Sequence, residues 1–163
     1  MTTRDPHGPA PEGVSAFLAG VVGGVCFAAF SILGLGMLSY FADTDIISVE
    51  GLTLWPGVVG MAVAILVFAA LSAPLLRRAL PSFGAVVLIA VATALAHLGA
   101  VWLSALVGGA GIAHAAAAAS QIVVRGSSAV VIVAALVAGW IAVALRRARS
   151  GTPRWPWERD DAE

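Results

Sequence analysis

Lysine is missing from this chain of 163 residues, whose nine basic residues are all arginine. Its absence excludes a phosphate-binding GxxxxGK[ST] loop and Schiff-base chemistry, both of which need a lysine amine. Cysteine is reduced to Cys26, so neither an intrachain disulfide nor a cysteine-built metal cluster can form. In "GGVC" the residue before it is Val25, not the small residue that a lipoprotein anchor requires. Charge is scarce, at 11%, and nine basic residues balance nine acidic ones. A net charge of zero draws neither nucleic acid nor acidic substrates by its field. HExxH, GxSxG and the dinucleotide-binding fingerprint are all lacking. The expectation is a protein without catalytic residues, cofactor, metal or nucleic-acid partner, and not an enzyme.

What is present is apolar. Hydrophobic residues make up 60% of the chain and the mean hydropathy is +0.98. A soluble domain of this size must cover its surface with polar groups, so this composition belongs to the membrane class. The abundance of alanine, glycine and valine, with arginine in place of lysine, fits a GC-rich bacterial genome.

The opening "MTTRDPHGPAPEG" has three prolines and two glycines and no apolar period, so residues 1–13 read as a disordered tail. Residues 14–148 read as a single membrane domain. Its first segment, 15–41, is uncharged and longer than the roughly 20 residues that cross a bilayer. It is far longer than the apolar core of a signal peptide and is expected to stay attached. The loop "DTDIISVEGLTL" follows; Asp43, Asp45 and Glu50 are costly within lipid. Segment two, 55–76, opens on Trp55 and on Pro56, whose missing N–H does no harm in a first turn. Pro74 in its last turn removes the hydrogen bond to Ala70. The short link "RRALPS" makes segment three, 83–107, its antiparallel neighbour. Residues 112–124 are helix-prone but too short to span, and read as a surface or re-entrant helix leading into segment four, with a break at Gly126. Segment four covers 127–145, and 149–163 form a polar tail.

The arginines orient the bundle. With both termini in the cytoplasm, Arg4, Arg77, Arg78, Arg146, Arg147, Arg149, Arg154 and Arg159 lie inside and Arg125 alone lies outside. That asymmetry follows the positive-inside rule for a bacterial cytoplasmic membrane. Trp55 and Trp102 then fall near the outer interface and Trp140 toward the inner one, as an aromatic belt requires. Trp155 and Trp157 are spaced to anchor the tail in the inner headgroups, a reading that competes with a docking peptide for a cytoplasmic partner.

Small residues recur every four positions in segment one, at Ala16, Gly20, Gly24 and Ala28, and in segment four, at Ala134, Ala138 and Ala142. Such strips let backbones approach closely, within the bundle or across an interface with a second copy or another membrane protein. Segment three carries His97 within about 4 Å of its midpoint, with Thr93 one turn before and Ser104 seven residues after. Burial favours the neutral imidazole, which donates one hydrogen bond and accepts another. Structural bonding to a neighbouring helix competes with a proton relay or gate, and with contact to a partner subunit. Ligation of a b-type haem would need Met37, Met61 or a second copy of His97. The outer residues Asp43, Asp45, Glu50, His114 and Arg125 offer oxygen ligands and one histidine to a divalent cation, but their spacing matches no recognised loop, and they read as a solvated loop with an ion pair between Arg125 and a carboxylate.

By composition and topology the chain resembles the small four-helix integral membrane proteins of GC-rich actinobacteria, a likeness that carries over no functional residue. The fold class read here is an all-α membrane bundle of four spanning helices with a short extra helix at the outer face. Its expected role is a non-enzymatic accessory, assembly or scaffolding subunit, embedded in the lipid bilayer and acting through helix packing. The alternative is a small oligomeric transporter or channel with a polar path through Thr93, His97 and Ser104.

Overall fold

A computed structural model of the chain describes residues 14–42, 55–78, 80–109 and 111–148. They form α1 (Ala16–Ala42), α2 (Trp55–Leu76), α3 (Phe83–Val107), α4 (Gly111–Val124) and α5 (Ser127–Arg147). The fold is all-α: α1, α2, α3 and α5 are long and apolar enough to cross a membrane, and α4 is a shorter apolar helix. At 14 residues α4 extends only about 21 Å, short of a hydrocarbon core of about 30 Å. The tails 1–13 and 149–163, with Trp155 and Trp157, and the loop acids Asp43, Asp45 and Glu50 lie outside the described residues.

These segments are helical because an uncharged apolar run in lipid must satisfy its backbone groups internally. The four long helices are apolar over most of their surface, and the few polar side chains Ser31, Ser72, Thr93, His97 and Ser127 are buried, while small residues set where the helices approach closely. On α1 the inward row is Ala19, Gly23, Phe27 and Ser31, all buried, a spacing of four that keeps them on one side of the helix. Gly23 lets α1 close on α5: an added Cβ there would stand 2.9 Å from the Cβ of Ala142 and 3.5 Å from the carbonyl oxygen of Ala138. Gly34 does the same against Val130, Gly60 of α2 against Val101 of α3, and Gly139 of α5 against Val86 of α3.

The four long helices close into a ring in the order α1, α2, α3, α5; no Cα atom of α1 lies within 8 Å of one of α3. The tightest neighbours are α2 with α3 and α1 with α5, and the loosest side of the ring is α1 with α2. Phe27 and Phe68 stack across that side with centroids 4.8 Å apart. α4 lies mainly on α3 and secondarily on α5, burying Ala115, Ala118 and Ile122. Gly126, with φ of 83°, turns the chain from α4 into α5 in a conformation that a side chain would strain.

Candidate functional site

Two polar features stand out in this apolar bundle, one inside it and one at its end. The inner one is carried by four side chains. Thr93 and His97 of α3, Ser31 of α1 and Ser127 of α5 are each no more than 5% exposed. The Oγ of Ser31, the Oγ1 of Thr93, the Nδ1 of His97 and the Oγ of Ser127 are buried without a hydrogen-bond partner among the described residues. Leaving a buried polar group unpaired costs about 1–3 kcal/mol, so these atoms hold hydrogen-bonding capacity that the bundle does not use.

Helix register puts the four in one section of the bundle. Gly60 lies against the His97 ring, where an added Cβ would come within 3.2 Å of Cδ2 and 3.3 Å of Nε2. Thr93, one turn earlier, is therefore level with Ala64. Because Phe27 stacks on Phe68, Ser31 one turn on is also level with Ala64. Val86 packs on Gly139, which sets Ser127 level with the turn of His97 and Leu98. Thr93 and Ser31 share one layer, and His97 and Ser127 the next, on the side of α4. No aspartate or glutamate occurs among the described residues, so no carboxylate among them faces this interior.

Ser104, expected on the same stripe, is only half-buried and donates to the carbonyl oxygen of Val101 on its own helix at 3.0 Å. Ser31 and Ser127 are the members that sequence reading missed. Ser31 was discoverable from its place in the row Ala19, Gly23, Phe27; Ser127 carries no such signal.

The second feature joins the helices where α1 and α3 begin and α2 and α5 end. Arg146 Nε donates to the carbonyl oxygen of Leu76 at 3.1 Å and its Nη1 to that of Val14 at 3.4 Å. Arg147 Nε donates to the carbonyl oxygen of Pro81 at 2.9 Å, and its guanidinium lies 4.9 Å from the centroid of the Phe83 ring. The Leu76 carbonyl belongs to a final helical turn, which lacks intrahelical donors. The last turn of α5 thus ties α1, α2 and α3 together.

The outside is grooved. Apolar clefts of 590, 350, 390 and 530 Å³ run between α1 and α2, α2 and α3, α3 and α5, and α1 and α5. None of these four is lined by Ser31, Thr93, His97 or Ser127. The strip Ala16, Gly20, Gly24 and Ala28 lines the cleft between α1 and α2. Ala134, Ala138 and Ala142 are buried in the core. Trp55, Trp102 and Trp140 are exposed on the sides of the bundle. Among the described residues no three histidine, cysteine or acidic side chains are grouped to hold a metal.

No curated protein and no solved structure matches the chain. Residues 14–163 fit the model of DUF6121, a family of unknown function, and the chain belongs to that family.

Proposed function

We propose that this protein is a non-enzymatic accessory, assembly or scaffolding subunit of the plasma membrane, with both termini in the cytoplasm. It works through helix packing against another membrane protein or a second copy of itself. The observation that supports this reading is the contrast between inside and outside. His97 is buried with Gly60 of α2 against its ring, while clefts open outward along every side of the ring of helices. Gly36 on α1 and Gly99 on α3 add to it, because a side chain at either would meet nothing within 4 Å. Glycine weakens a helix interior by about 1 kcal/mol relative to alanine. Close approach by an outside backbone is what such positions offer in return.

The test is proximity capture in native membranes. A photo-crosslinking residue at Gly36 or Gly99 is expected to trap one defined partner or a homodimer. Trapping of lipid alone at both positions, with a monomer on purification, sinks the proposal.

A second reading, a proton or small-solute path, is favoured by the unpaired atoms of Ser31, Thr93, His97 and Ser127. Reconstituted vesicles decide it. Wild-type protein should dissipate an imposed pH gradient or admit a small uncharged solute, and His97→Leu should abolish that flux. Equal flux in wild type and variant removes His97 from any such path.

A further inference from the structure

We infer that the cleft between α1 and α2 is a seat for one acyl chain of an anionic phospholipid whose phosphate is held by Arg77. Three observations meet there. The first is length. Along α1 the cleft runs from Ala16 to Ala28, and along α2 from Ile65 to Arg77. Each is about 18 Å at 1.5 Å per residue, close to the depth of one leaflet in a hydrocarbon core of about 30 Å. Its wall on α1 is smooth because Gly20 and Gly24 carry no side chain. A Cβ at Gly20 would find only the Cδ1 of Leu76 at 3.7 Å, and one at Gly24 would find nothing within 4 Å.

The second observation is the charge at the end of the cleft. Arg146 and Arg147 are engaged with backbone carbonyls, whereas the exposed Arg77 side chain has no partner among the described residues. Arg77 lies where α2 ends, at the level of the headgroups for a helix that spans the core. Basic positions between membrane helices at that level attract anionic headgroups. The third observation is Ser72, which lines the same cleft, is 6% exposed, and whose hydroxyl has no hydrogen-bond partner among the described residues. It lies little more than one turn from Arg77, where the ester and glycerol oxygens of a lipid held by Arg77 would fall.

A second copy fits this cleft less well. A two-fold dimer built on it sets the two like-charged Arg77 side chains at the same membrane level, whereas a lipid phosphate there brings the opposite charge to Arg77. The complement is a lipid.

Native mass spectrometry of the full chain, released from detergent with added phosphatidylglycerol or phosphatidylcholine, tests this directly. Wild type should retain phosphatidylglycerol in preference to phosphatidylcholine. Arg77→Gln should reduce that preference by about fivefold, the worth of one basic side chain at a membrane surface. Arg78→Gln, whose residue lines the neighbouring cleft of α2 and α3, should reduce it less. Gly24→Leu fills the cleft without touching the packed side of α1 and should lower retention of both lipids. Equal retention of the two lipids by wild type, equal effects of the two arginine variants, or a dimer lost in Gly24→Leu with lipid retention intact would each overturn the inference. Unchanged melting temperatures of the variants in detergent establish that lipid, not folding, is being read.

Discussion

Arg146 donates through Nε to the carbonyl oxygen of Leu76 at 3.1 Å, so the end of α5 caps the end of α2 across the bundle. A hydrogen bond to a charged group contributes about 1.5–3 kcal/mol, and this one also joins two helices that lie diagonally in the ring. Arg146→Gln is therefore expected to destabilise the protein by about 1–3 kcal/mol, read as a lower melting temperature in detergent. Arg78→Gln, at an exposed position, should shift it far less. Equal shifts for the two would show that the Arg146 contact contributes nothing.

Gly23 and Gly24 are adjacent in sequence and opposite in consequence. A methyl group at Gly23 meets the Cβ of Ala142 at 2.9 Å, and one at Gly24 meets nothing within 4 Å. Gly23→Ala should force α1 from α5 and cost about 1–3 kcal/mol, as overpacking does. Gly24→Ala should be neutral or stabilise by up to about 1 kcal/mol through helix propensity. Chemical denaturation in mixed micelles separates the two; the reverse order would invalidate the packing of α1 described above.

Thr93 keeps a hydroxyl at 0% exposure with no hydrogen-bond partner among the described residues. Thr93→Val replaces it by a methyl of similar shape and is expected to leave stability unchanged or raise it by about 1–3 kcal/mol, the cost of an unpaired buried group. A loss of more than about 1 kcal/mol would mean that the hydroxyl has a partner after all.

Gly126 holds a φ of 83° between α4 and α5. In that region an L side chain costs about 1–2 kcal/mol, so Gly126→Ala should lower the melting temperature. Gly36→Ala, in open space on a regular helix, should not. Limited proteolysis offers a second measure, with cleavage near residues 125–127 rising in Gly126→Ala alone.

The topology is testable with one cysteine at a time. In a Cys26→Ala background, Ile112→Cys at the start of α4 should react with a membrane-impermeant maleimide added outside intact cells. Ser82→Cys, at the opposite end of the bundle, should react only after the membrane is opened. The reverse pattern would overturn the placement of the arginine-rich end in the cytoplasm.

The sequence alone determined that the chain is an all-α membrane bundle with four spanning segments and a shorter fifth helix. Length and the absence of charge suffice for that, because lipid permits only helices where an apolar run must satisfy its own backbone. It also brought out Thr93 and His97, since a polar residue in an apolar run is conspicuous. Which face of each helix is buried was decided only by the tertiary structure. In lipid the outside of a bundle is as apolar as the inside, so beyond a few buried polar side chains such as Thr93 and His97 polarity carries little signal, and packing turns on the fit of small residues. On α1 two rows of small residues lie side by side, Ala16, Gly20, Gly24 and Ala28 beside Ala19 and Gly23. Spacing alone does not tell them apart, yet one closes on α5 and the other lines an open cleft. Arg146 and Arg147 make the same point. A charge count reads them as orientation signals, but their bonds to Leu76, Val14 and Pro81 require the ends of four helices to meet. Ser31 and Ser127 join His97 for the same reason: their level in the bundle is set by helix register, which exists only after the helices have packed.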